Sequence, residues 1–103
     1  MNEEEFYALL KKLQIPIAYN HFSATQKPPY GVYYRQKNDH VAADSGVWHK
    51  FKNLVFELYT AKRDPALESK VEQLLDGAEL FYNVYESWVE DEKIYQISYE
   101  IQI

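Results

Sequence analysis

The chain has 103 residues and a mass of 12.3 kDa, which fits one domain over residues 1–103 and leaves no room for a second independent core. Its formal net charge is -5, from 11 Lys and Arg against 16 Asp and Glu, and the cations are scattered among acids; this argues against a phosphate-gripping surface and against sequence-specific nucleic-acid binding. With no cysteine there is neither a disulfide framework nor a thiolate metal site, and a domain of this length buries roughly 65% of its unfolded surface without such staples.

Aromatics make up 17% of the chain, and 10 of them are Tyr, a residue favoured on half-buried sheets and at interfaces. No apolar run approaches the roughly 20 residues of a membrane span. The acidic start, Met1 to Glu5, is unlike a basic signal n-region, so the expectation is a soluble protein whose fold begins at its first residues.

Phe6, Leu9, Leu10 and Leu13 recur at helical spacing, and Asn2 with Glu5 three residues later makes a capping-box start. Glu3, Glu4 and Glu5 then lie in the first turn, where the helix dipole favours anions. Pro16 ends this helix. The short apolar stretch Ile15 to Tyr19 reads as a strand that Pro16 confines to an edge. His21 to Pro29, with its Pro28-Pro29 pair, reads as a surface loop, and Tyr30 to Arg35 as the next strand.

The polar stretch Gln36 to Gly46 has no periodicity and is assigned to a long hairpin loop. Val47 to Tyr59 is the longest β-like run, with Leu54, Phe56 and Leu58 on one face and Val55, Glu57 and Tyr59 on the other. Asp64-Pro65 starts a second helix whose apolar stripe is Leu67, Val71, Leu74, Leu75 and Ala78, with Gly77 as its C-terminal cap. Two strands follow, Leu80 to Val89 and Lys93 to Ile103, around the acidic turn Glu90, Asp91, Glu92. The last alternates Tyr95, Ile97, Tyr99, Ile101 and Ile103 against polar residues, so one face is buried and one is wet.

The expected fold is α+β, in the order α-β-β-β-α-β-β: an antiparallel sheet of about five strands with two helices packed on one face and the other face free to meet a partner. The penultimate strand carries Leu80, Tyr82, Val84 and Trp88 on one side and Phe81, Tyr85 and Val89 on the other. One layer of helices cannot cover both sides, which points to an interface.

Candidate chemistry is sparse. His21, His40 and His49, with Asp39 or Asp44 as partners, lack the close pairing that holds zinc, and solvated histidines explain them. Asp39, His40 and Asp44 would be the first place to look for an enzyme, yet no motif places a nucleophile there, so the expectation is a protein without catalytic, cofactor-binding or metal residues. The acidic triplets serve helix capping and solubility, and Gly31, Gly46 and Gly77 are too isolated to cradle phosphate. Trp48, Lys50, Phe51 and Lys52 interleave cations and aromatics as single-strand binders do, but outward lysines more often protect an edge strand. Tyr30, Tyr33 and Tyr34 read equally well as a recognition surface or as half-buried strand residues.

The run Phe6 to Leu13, then Ile17-Ala18-Tyr19 with His21-Phe22, Lys27-Pro28-Pro29-Tyr30, the loop Asp39 to Asp44, Phe56-Glu57-Leu58-Tyr59-Thr60 before Lys62-Arg63-Asp64, and the ending Tyr95 to Ile101 together resemble small head-tail joining or tail-completion proteins of siphophages and prophages of Gram-positive bacteria. Among these, tail terminators are the most similar in size and layout. The resemblance implies a virion protein of the head-tail neck, made in the bacterial cytoplasm, that forms a hexameric ring on the tail tube and docks to a head-completion or connector protein. DNA would pass through such a ring, and net negative charge suits a conduit better than a clamp. It further implies that Asn38, Asp39, His40, Val41, Ala42, Ala43, Asp44, Ser45 and Gly46 project towards the lumen or the tube as an interaction loop. The alternative outside this class is a monomeric binding module, an inhibitor or regulator of one host protein.

Overall fold

The computed structural model describes residues 1–36 and 53–103. The interaction loop Asn38 to Gly46 and the first part of the Val47 to Tyr59 run lie outside the described residues. Helix α1 (Glu3–Lys11) is followed by β1 (Ile17–Tyr19), β2 (Tyr30–Arg35), β3 (Asn53–Thr60), α2 (Pro65–Gly77), β4 (Phe81–Val89) and β5 (Ile94–Gln102). The fold is α+β, with one open five-stranded sheet in the order β1-β2-β3-β5-β4.

Both helices begin as their sequences require. The Asn2 side chain accepts from the Glu5 amide at 2.8 Å while the Glu5 carboxylate accepts from the Asn2 amide at 2.9 Å, a complete capping box. Asp64 caps α2 by accepting from the Leu67 amide, with Pro65 in the first turn. The end of α2 differs from expectation. Gly77 is still helical, and the left-handed residue that closes the helix is Glu79, at φ 57°. The amides of Glu79 and Leu80 return to the carbonyls of Asp76 and Leu75, which is a Schellman motif displaced two residues past the glycine.

The apolar stripes of α1 (Phe6, Leu10, with Leu13 just beyond) and α2 (Val71, Leu75) lie on Leu54, Phe56 and Leu58 of β3 and Ile97, Tyr99 and Ile101 of β5. All of these are buried, and each fully buried Leu or Phe contributes about 1.5–3 kcal/mol of apolar transfer energy. The alternation read in the last strand is therefore the core alternation. Tyr33 of β2 joins this face, its ring against Phe6, Tyr7 and Tyr19.

The sheet is mixed, not wholly antiparallel. β2, β3, β5 and β4 pair antiparallel, but β1 runs parallel to β2, with Ile17 opposite Gly31 and Tyr19 opposite Tyr33. Parallel neighbours need a connection that crosses one face of the sheet, and the helices occupy one of the two. The connection from Asn20 to Pro29, which contains a cis Pro28-Pro29 bond, accordingly stands over the other face. That face, which the sequence leaves free to meet a partner, is thus partly roofed by the chain itself.

Candidate interaction surface

β4 is a sheet edge. It pairs with β5 along its whole length, from Phe81 opposite Gln102 to Val89 opposite Ile94, and among the described residues nothing pairs with its outer side. Strand parity sends Tyr82, Val84, Glu86 and Trp88 to the helix side and Phe81, Asn83, Tyr85, Ser87 and Val89 to the opposite side. Helix α2 covers only the start of the strand, where the Tyr82 hydroxyl donates to Asp76 at 2.9 Å. Burial and that hydrogen bond push the Tyr82 hydroxyl up to about 12. Further along, Phe81 is 82% exposed, Tyr85 53%, Trp88 46% and Val84 43%. The strand contains no Lys and no Pro and keeps an unbroken register, so Glu86, on the helix side and 3.4 Å from Arg63, is the one charge that guards this edge against pairing with another chain.

The second feature is a cleft of about 850 Å³ between the Asn20 to Pro28 segment and the face opposite the helices. Register builds its floor: Tyr30 stands opposite Tyr59 and Val32 opposite Glu57. The Tyr30 and Tyr59 rings stack at 4.9 Å, and Phe22 from the crossing segment meets Tyr30 edge-on at 5.6 Å. Glu57 accepts two hydroxyl hydrogen bonds, from Tyr34 on Oε2 and Tyr59 on Oε1, both at 2.8 Å. Burial, then the bond to Glu57 and its charge, raise both phenols, Tyr34 to about 12 and Tyr59 further. Glu92, in the β4–β5 turn, lines the same cleft.

The residues singled out in the sequence are dispersed. Asn38 to Gly46, with His40, and also Trp48, His49, Lys50, Phe51 and Lys52, lie outside the described residues. His21 lines the cleft, its Nδ1 3.2 Å from the side-chain Nδ2 of Asn20. Of the three β2 tyrosines, Tyr33 packs in the helix-side cluster while Tyr30 and Tyr34 lie on the cleft side. Glu3 is ion-paired with Arg35 at 2.9 Å and Glu5 serves the capping box. Glu90 accepts from Lys93 and Trp88, and those two bonds lower its carboxyl below the usual range. Among the described residues no three His, Cys, Asp or Glu side chains gather as metal ligands, and no helix is long and apolar enough to cross a membrane.

No known protein family, curated protein or solved structure matches this chain.

Sequence reasoning missed the cleft because it joins residues from four segments. The odd-even pattern of β2 and β3 holds Tyr30, Val32, Tyr34 and Glu57, Tyr59 on common sides, but only the register places Glu57 between the two phenols. That Asn20 to Pro28 folds back over them has no local signal at all.

Proposed function

We propose that this chain is a non-enzymatic structural protein of a phage or prophage head-tail neck, a tail terminator-like subunit that self-associates into a ring on the tail tube. The observation that supports this reading is the β4 edge: nine residues, about 30 Å of strand, with four large apolar side chains exposed on both of its sides. An edge of that length guarded by a single charge, Glu86, is costly in a protein meant to remain alone. Its complement is a second copy of the chain. In a closed ring each copy gives one surface and receives another, so every β4 edge is covered and no growing end is left. The acidic balance, -5, suits a channel that phosphates slide past rather than adhere to. The resemblance to tail-completion proteins supplies the finer reading, the tube and the head connector as docking partners.

The test is native mass by light scattering across a wide concentration range, with negative-stain imaging of any large species and co-sedimentation with purified tail tubes. A closed ring, free or formed on the tubes, is the expected result. A strict monomer that also fails to sediment with tubes overturns the reading in favour of a monomeric inhibitor or regulator.

A further inference from the structure

The cleft is a separate surface, on the face opposite the helices, and the ring reading makes no use of it. Its chemistry is one-sided. Two carboxylates, Glu57 and Glu92, line it, none of its described lining residues is Lys or Arg, and neither carboxylate belongs to an ion pair among the described residues. Both act on the same phenol: the Tyr30 hydroxyl is raised first by burial and then by Glu92 and Glu57.

We propose that this cleft receives the guanidinium group of an arginine side chain carried by a partner protein. Each Glu57 oxygen accepts one phenol hydrogen and has a second lone pair for another donor, and the two carboxylate oxygens match the two parallel N–H groups of a guanidinium fork. The phenols hold the carboxylate in place before any ligand arrives, which reduces the ordering cost of binding. Stacked Tyr30 and Tyr59, with Phe22 edge-on beside them, form an aromatic wall along which a planar cation lies favourably, as a compact ammonium does less well. At about 850 Å³ the cleft holds an arginine side chain together with adjoining backbone of the segment that carries it. Glu92, on a turn at the rim, adds attraction without belonging to the phenol network.

The probe is N-acetyl-arginine methylamide, with its citrulline counterpart as an uncharged isostere, titrated into the full chain at neutral pH and low salt and followed by amide chemical shifts. The expected result is saturable shifts at Phe22, Tyr30, Val32 and Ile94, and roughly tenfold weaker binding for citrulline, the order expected when charge assistance is lost. Glu57→Gln should abolish the shifts while leaving a dispersed spectrum. Because that change also touches the phenol network, Glu92→Gln serves as a second variant: it should weaken arginine binding a few-fold with no change in fold. Equal responses to arginine and citrulline, shifts located elsewhere, no response in the natural chain, or binding untouched by both variants would each overturn the assignment. None of these outcomes depends on whether the chain forms a ring.

Discussion

Gly31 of β2 lies against the ring of Phe56 on β3: a Cβ at residue 31 would stand 2.4 Å from Phe56 Cε1 and 2.7 Å from Cζ. The ring occupies the space of the missing side chain. It is fully buried, stacked at 6.0 Å on Tyr99, and so has little freedom to withdraw. Gly31→Ala is expected to destabilise by about 1–3 kcal/mol through overpacking, read as a lower urea midpoint at constant slope. An unchanged midpoint would mean that Phe56 can swing aside and that the core is looser here than its packing implies.

Burial of Tyr34 and Tyr59, and after it their shared carboxylate partner Glu57, make stability sensitive to alkali. The folded-state pKa values of Tyr34 and Tyr59 lie above the ordinary 10.0, Tyr34 at about 12. For a raised pKa the contribution is fully present below the unfolded value, so it is intact below pH 10 and is lost as pH rises through the folded value. A tyrosinate absorbance titration should show these phenols ionising late, together with unfolding. In Glu57→Gln the burial remains but the charge is gone, and part of that ionisation should move to lower pH. An unaltered titration in the variant would remove Glu57 as a cause.

Glu79 carries the left-handed conformation that ends α2, at φ 57°, two residues after the glycine that composition suggests for the role. A non-glycine residue there costs about 1 kcal/mol, partly returned by its smaller entropy in the unfolded chain. Glu79→Gly should therefore raise stability by about 0.5–1 kcal/mol, while Gly77→Ala, at a helical position with nothing within 4 Å of a new Cβ, should be neutral or slightly stabilising. Destabilisation by Glu79→Gly, measured by thermal or urea unfolding, would contradict the Schellman geometry.

On β4, Tyr85 is half exposed on the side away from the helices. Tyr85→Lys places a charge on that edge with little cost to the isolated subunit, within about 0.5 kcal/mol for a surface change. If β4 is the joint between copies, the variant should keep its melting temperature as a monomer and lose higher species in light scattering. Retention of the ring would move the joint to another surface.

The cores of both helices and the central strands were legible in the sequence because they rest on local rules. Asn2 and Glu5 close a box three residues apart, Asp64-Pro65 presets a helix start, and the alternation from Tyr95 to Ile103 follows the two-residue period of a strand. Conformational preference points to Gly77 as the C-cap because it names the residue most willing to turn, while the point at which Leu80 reaches the core puts the turn at Glu79.

What the sequence by itself determined is therefore the set of elements, their buried faces and the surplus of apolar surface on β4. The tertiary structure alone decided that β1 lies parallel to β2, that the chain from Asn20 to Pro29 consequently crosses the sheet, and that Glu57 sits between Tyr34 and Tyr59 beneath it. Periodicity reports which side of an element is apolar, because that is a property of neighbouring residues. Register and crossover depend on contacts between residues far apart in the chain, and these carry no local signature.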